Sequence, residues 1–224
     1  SHFHAFLPQM PESEIRRQIL LQDQALKSRF PAYKRDGFFI PEMAYNPKVG
    51  TIIKEMGFRW IILDPMSSST EPQPWVKHIS RRSGLAVVFR NRTLSKSYPP
   101  EALYKLLPTK QDTLIITATD GELYGHFHQD WQEHLKRLLE SQGIETLTVS
   151  DYLARTTKTE PIHLRSASWE TRTKQIHSNN PFSIWFNRSN PIHRGLWRLA
   201  FESIAQVGSH EKDPNYEWAR RHLD

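Results

Sequence analysis

Short apolar runs alternate with amphipathic stretches along most of this chain, and that alternation constrains the fold more than any other feature. Gly37-Phe38-Phe39-Ile40, residues 58–63, 85–89 and 113–118 are runs apolar on both faces. Strands of that kind belong inside a parallel sheet covered by helices. The segments between them carry helical periodicity. The spacing predicts a helix over 12–30, with Ile15, Ile19, Gln22 and Leu26 on one face. Asn46-Pro47 supplies a cap and a first-turn proline for a second helix, to about residue 56. Others are expected over 99–107 and over 125–142, the latter burying Trp131, Leu135, Leu138 and Leu139. Further strands are expected to end at 4–7 and to run over 76–79, 144–149 and 162–168, with Ser150 capping a short helix. Five to seven such units predict an α/β fold of the incomplete (β/α)7 barrel type over residues 1–170. Beyond about residue 158 the pattern changes, and residues 192–207 and 216–223 read as helices. Residues 171–224 are therefore expected to form a helical C-terminal extension packed on the barrel.

Composition removes several classes of chemistry. The 224 residues include no cysteine, which excludes disulfide scaffolds, thiolate metal sites and a cysteine nucleophile. No apolar run approaches the roughly 20 residues that span a bilayer, so no membrane partner is expected and a cytoplasmic protein is predicted. The net charge of +6 suits an anionic partner. The basic residues are scattered, however, as pairs such as Arg16-Arg17, Arg81-Arg82 and Arg220-Arg221. With no recognisable module beside them, nucleic acid is not expected as a partner. Neither a Gly-x-Gly-x-x-Gly turn nor a Gly-x-Ser-x-Gly elbow is present.

In parallel barrels the reactive groups sit at the C-terminal ends of strands. Three such ends carry polar residues here: His4, Glu42 directly after the run ending at Pro41, and Asp120-Gly121-Glu122 after residues 114–117. One acid at a strand end is commonly a cap or a loop ion pair. Two acids from different strand ends can converge over the barrel mouth. Such a pair can break a glycosidic bond, one as nucleophile and the other as general acid/base. The acid must stay protonated near neutral pH, which burial or a neighbouring carboxylate arranges. Glu122 stands close enough in sequence to Asp120 to be that neighbour.

The residues around these acids resemble glycoside hydrolase family 57. Gly37-Phe38-Phe39-Ile40-Pro41-Glu42-Met43-Ala44-Tyr45 is similar to its nucleophile motif, and Asp120-Gly121-Glu122-Leu123-Tyr124-Gly125-His126-Phe127 to its acid/base motif. His4-Ala5-Phe6-Leu7-Pro8 resembles its second region. Phe89-Arg90-Asn91-Arg92-Thr93-Leu94-Ser95 resembles a segment common in these barrels, and Ser166-Ala167-Ser168-Trp169-Glu170 a later one, loosely. The matches run in order from residue 4 to 170. The resemblance implies a retaining glycoside hydrolase or glycosyl transferase acting on α-glucans or related α-glycosides, with an oligosaccharide or polysaccharide substrate. It implies Glu42 as nucleophile, Asp120 as acid/base, and no metal or other cofactor. His4, Glu122, His126, Trp169 and Trp185 are the residues expected to support the substrate.

The departures are specific. The family's first region, a His-Gln-Pro, has no counterpart, so the first βα unit is expected to be absent. The sheet edge left open there would take a second copy or a partner chain. Phe39 and Met43 replace a Trp and a Cys, and Glu170-Thr171 replaces a Gly-Glu. Two other readings stand beside the main one. A non-catalytic carbohydrate-binding remnant would bind sugar without turnover. A metal-dependent polysaccharide deacetylase would use Asp120 with the His2/His4 or His126/His128 pairs, although residues two apart on a helix diverge by about 200°.

Overall fold

The computed structural model describes residues 2–107 and 114–223. The chain divides into two units, Ser1–Glu170 and Thr171–Asp224.

The first unit is mixed α/β, built on a five-stranded, mostly parallel sheet. Its strands are β1 (Gly37–Phe39), β2 (Trp60–Leu63), β3 (Lys77–Ser80), β4 (Ala86–Phe89) and β5 (Thr159–Ile162), in the order β1-β2-β4-β3-β5. β1, β2 and β4 are parallel, with Phe38 opposite Ile61 and Ile61 opposite Val87. These three side chains are buried, as an interior parallel strand requires. Helix α1 (Glu12–Arg29) contributes Ile15 and Ile19 to the core. Helix α2 (Pro47–Glu55) contributes Val49, Ile52 and Ile53. It starts where its residues dictate: Asn46 Oδ1 accepts from the Val49 N–H at 2.8 Å, and Pro47 occupies the first turn. α3 (Arg92–Ser95) and α4 (Pro99–Leu106) follow β4.

Several local expectations are corrected. β3 and β4 are antiparallel, joined by the turn over 81–85 with Gly84 at φ +71°. A linker that short cannot carry the crossover a parallel pair needs. Residues 4–7 are no strand; Leu7–Gln9 is a 3-10 turn. Of the strand expected over 113–118, Thr113 lies outside the described residues, and 114–118 form no ladder. That segment is instead tied to the end of β4 and to α3. Asn91 N–H donates to the Ile116 carbonyl at 2.6 Å, and Ala118 N–H donates to Ser95 Oγ at 3.2 Å. The strand expected over 144–149 is replaced by a loop running into α6 (Val149–Arg155). Thr148, not Ser150, caps it, accepting from the Asp151 N–H at 3.1 Å.

The helix expected over 125–142 shrinks to α5 (His134–Glu140). Asp130 accepts from the N–H groups of His134 and Leu135, both at 2.9 Å, and so starts the helix at His134, three residues after Trp131. Glu133 at φ +53° interrupts any earlier start. Leu138 is buried as expected, but Trp131 is 85% exposed, and Leu135 and Leu139 are exposed too.

The second unit is helical: α7 (Thr173–His177), α8 (Pro191–Gly208) and α9 (Tyr216–Leu223). Asn190 caps α8 by accepting from Ile192 N–H at 2.9 Å. Among the described residues no helix is long and apolar enough to cross a membrane.

Candidate active site

β1 runs directly into a 3-10 turn, Pro41–Met43. Pro41 ends the strand because it has no N–H to give a ladder. Glu42 and Met43 then take φ +59° and +46°, a left-handed pair that side-chain-bearing residues adopt at a cost of order 1 kcal/mol each. What holds them there is burial below and hydrogen bonding above. Ile40, Met43 and Ala44 are wholly buried. Glu42's carboxylate is gripped from two sides. His4 Nε2 lies 3.0 Å from Oε1, and Trp169 Nε1–H donates to Oε2 at 2.7 Å. The Glu42 carbonyl also accepts from the Trp169 N–H at 3.1 Å.

Trp169 reaches this position because residues 42–45 and 167–169 run side by side. Tyr45 and Ala167 exchange both backbone hydrogen bonds, at 2.8 and 3.1 Å. Behind the indole, the Arg90 guanidinium carbon stands 5.2 Å from the ring centroid. Arg90 follows the last residue of β4 and is 5% exposed. Its Nε and Nη2 meet Asp64 Oδ2 at 2.9 and 2.8 Å, and its Nη1 donates to the Ala118 carbonyl at 2.9 Å.

Asp120 opens a second 3-10 turn, Gly121–Leu123, and its carbonyl accepts from the Leu123 N–H at 3.2 Å. The residue is exposed as a whole, but its carboxyl is raised above the ordinary aspartate value. Partial burial is the main cause, followed by the charges of Glu42 and Glu122; His4 and Arg90 pull the other way. The two carboxyl groups thus feel each other. A carboxylate fixed by two donors beside a carboxyl biased toward its protonated form is an arrangement that can attack and protonate the two ends of one bond.

Of the residues expected at the site, His4, Glu42 and Trp169 are in direct contact, and Asp120 and Glu122 share their electrostatic neighbourhood. His126 is exposed, its ring edge-on to Phe127 at 4.8 Å and its N–H donating to the Glu122 carbonyl at 3.2 Å. Trp185 belongs to the second unit, where its carbonyl accepts from Trp197 Nε1–H at 2.9 Å. The paired histidines are dispersed: His4 turns to Glu42, and His128 stacks on Tyr98 at 3.9 Å. Among the described residues no three His, Asp or Glu side chains stand close enough to hold a metal ion. Sequence reading assigned no role to Asp64, Arg90 and Arg92. The signals for the arginines were position, Arg90 at the C-terminal end of an interior strand, and their place in the Phe89–Ser95 segment that resembles one common in these barrels.

A family model described as Glycosyl hydrolase family 57 matches residues 1–165. The chain belongs to glycosyl hydrolase family 57. Solved structures of similar fold include a 4-α-glucanotransferase from Thermococcus litoralis, 18% identical with a TM-score of 0.57, covering 94% of this chain and 32% of that one. The α-amylase AmyC from Thermotoga maritima is 13% identical with a TM-score of 0.60, covering 98% of this chain and 63% of that one. A family 57-type branching enzyme from Pyrococcus horikoshii is 18% identical with a TM-score of 0.71, over 95% of this chain and 54% of that one. This family 57 chain therefore spans about a third to two thirds of the length of these structures. No curated protein sequence matches it.

Proposed function

We propose that this family 57 chain is a retaining glycoside hydrolase or glycosyl transferase acting on α-glucans. The observation that carries the reading is the Glu42 carboxylate, held by His4 and Trp169 beside an Asp120 whose carboxyl is raised in part by Glu42's own charge. The similarity to a 4-α-glucanotransferase, an α-amylase and a branching enzyme supports α-glucan as the substrate class.

In this reading a sugar binds with its anomeric carbon against Glu42. The Asp120 carboxylic acid protonates the glycosidic oxygen as that bond breaks, and Glu42 forms an ester to the anomeric carbon. Esterification removes Glu42's negative charge. One of the forces raising Asp120 is then gone, so the aspartate is the better base at the moment it must deprotonate water or an acceptor sugar. The second attack releases the sugar with its original configuration. Water as acceptor gives hydrolysis, and a sugar hydroxyl gives transfer. We place this chemistry in residues 1–170, with 171–224 as a helical extension, in a cytoplasmic protein. A second copy of the chain or a partner chain along β1, one end of the sheet, fits the same reading.

The test is turnover of maltooligosaccharides. Glu42→Gln should lose roughly 1,000-fold or more in kcat. Asp120→Asn should lose about 100- to 10,000-fold, because a sugar leaving group needs its proton. Sugar binding should survive in both. Full activity in Glu42→Gln contradicts the reading, and binding without turnover in the parent chain would make it a carbohydrate-binding barrel.

A further inference from the structure

A buried arginine is costly unless something requires it. Arg90 is 5% exposed and its partner Asp64 is fully buried. Asp64 does not depend on Arg90 alone. Arg92 Nη1 reaches Asp64 Oδ1 at 2.5 Å, and the Met66 N–H donates to the same oxygen at 3.0 Å. Replacing a buried ion pair by apolar side chains of similar volume is often neutral or stabilising. Neutralising Asp64 is thus a weak reason for an arginine at this place.

The other contacts of Arg90 supply a stronger one. Its guanidinium is a flat fork with donors fixed in three directions. Two donors rest on Asp64, at the end of β2. A third takes the carbonyl of Ala118, two residues before Asp120. The guanidinium's central carbon stands over the ring of Trp169, 5.2 Å from the centroid, and that indole's N–H grips Glu42. Both carboxylate-bearing segments therefore lean on a single rigid group anchored to the sheet. Residues 114–118 have no strand ladder, so the Asp120 segment is placed by this bond together with those from Asn91 to the Ile116 carbonyl and from Ala118 N–H to Ser95.

We propose that Arg90 is a positioning residue that sets the two carboxyl groups of the active site relative to one another, through the Trp169 indole on one side and the Ala118 carbonyl on the other. The inference rests on the reading of Glu42 and Asp120 as the catalytic pair. Arg90 touches no substrate atom in this account; it acts through its neighbours. A lysine cannot replace it, because one ammonium cannot occupy the fork and the ring face together. Arg90 also adds a positive charge to the surroundings of Asp120, which otherwise comprise Glu42, Glu122 and His4.

The experiment compares the parent with Arg90→Lys, Arg90→Gln and Trp169→Phe on maltoheptaose across the pH range, with active sites counted by a covalent labelling reagent. Arg90→Lys should lose about tenfold or more in kcat per active site, with KM changed by less than about twofold, as expected for misplaced reacting groups. Arg90→Gln should lose at least as much. It should also move the alkaline limb of its pH profile upward, because a charge that opposes Asp120's protonation is gone. Trp169→Phe keeps a ring under the guanidinium and loses the donor to Glu42. It should lose kcat and leave the alkaline limb where it was. A merely structural arginine would lower the thermal midpoint and the number of active sites but leave kcat per site and the limb unmoved, and that result overturns the proposal. If Arg90→Gln does not fold, Arg90→Lys and Trp169→Phe decide alone, and parent-like kcat per site in both overturns it. A parent chain that neither labels nor turns over overturns the catalytic reading itself, a result distinct from an active parent with indifferent variants.

Discussion

Glu42 is held in a backbone conformation that its side chain resists, and the hydrogen bonds from His4 and Trp169 show what that conformation achieves. The left-handed turn lets a residue directly after a buried strand present its carboxylate to two donors from distant parts of the chain. Asp120 is tuned differently, by partial burial and two negative neighbours. Glu122 is the one of those neighbours that can be changed without touching Glu42, the proposed nucleophile. Glu122→Gln should lower Asp120's pKa, since a like charge that raised it is removed. The alkaline limb of kcat/KM should then move to lower pH, by less than about one unit because Glu122 is solvent-screened. An unmoved or rising limb would contradict the placement of Glu122 beside Asp120. At this scale Glu42, Asp120 and His4 were legible because their chemistry lies in short contiguous motifs. Arg90 was not. Its partners at 64, 118 and 169 are far apart in sequence, and only the folded chain stacks them.

Elements were legible where a local signal acts alone. The Asn46-Pro47 start of α2 is such a case, since cap and proline need no tertiary partner. The 125–142 helix failed for the same kind of reason in reverse. Apolar spacing pointed to one long helix, but Asp130 satisfies the first free N–H groups locally and Glu133 breaks the path. The parallel pairing of β3 with β4 failed, although β3 is parallel to β5, because strand periodicity says nothing of direction; linker length does. Elements are also tied by acids that are buried, as Asp23 is, or half-buried, as Asp36 is. Asp36 joins the starts of β1 and β2 to α6, bonding Arg59, Trp60 Nε1 at 3.2 Å and Ser150. Asp23 on α1 bonds Arg35 Nη2 at 2.7 Å. Arg59 above all pulls Asp36 down to about 2, and Arg35 does the same for Asp23. A depressed folded-state pKa gives stability that is present above the unfolded value and lost as pH falls through the folded one. The unfolding free energy should therefore be flat above about pH 5 and fall between about pH 4 and 2, by on the order of 2 kcal/mol for each acid. Denaturant titrations at a series of pH values check this. Asp36→Asn should destabilise the chain at pH 7 and flatten part of the acid fall; an unchanged acid profile would contradict the role given to Asp36.

The whole molecule carries a net charge of +6, yet the proposed substrate is neutral. Turnover of maltooligosaccharides should vary less than about twofold between 50 and 300 mM salt, whereas binding through phosphate contacts would weaken steeply over that range. A steep dependence would argue for an anionic ligand at the same mouth. The α/β class was legible at this scale because strand and helix alternate over long distances, and the order of the motifs from residue 4 to 170 carried the family. What sequence could not show was which of those motifs the fold draws together, because that depends on pairings such as Tyr45 with Ala167. The measurement that bears most directly on the central claim is the intact mass of the protein after incubation with a mechanism-based α-glucosyl fluoride, with Glu42→Gln alongside. The account predicts one covalent sugar on the parent, located on Glu42, and none on the variant. An unmodified parent that still binds and turns over oligosaccharide, or equal labelling of both proteins, would contradict it.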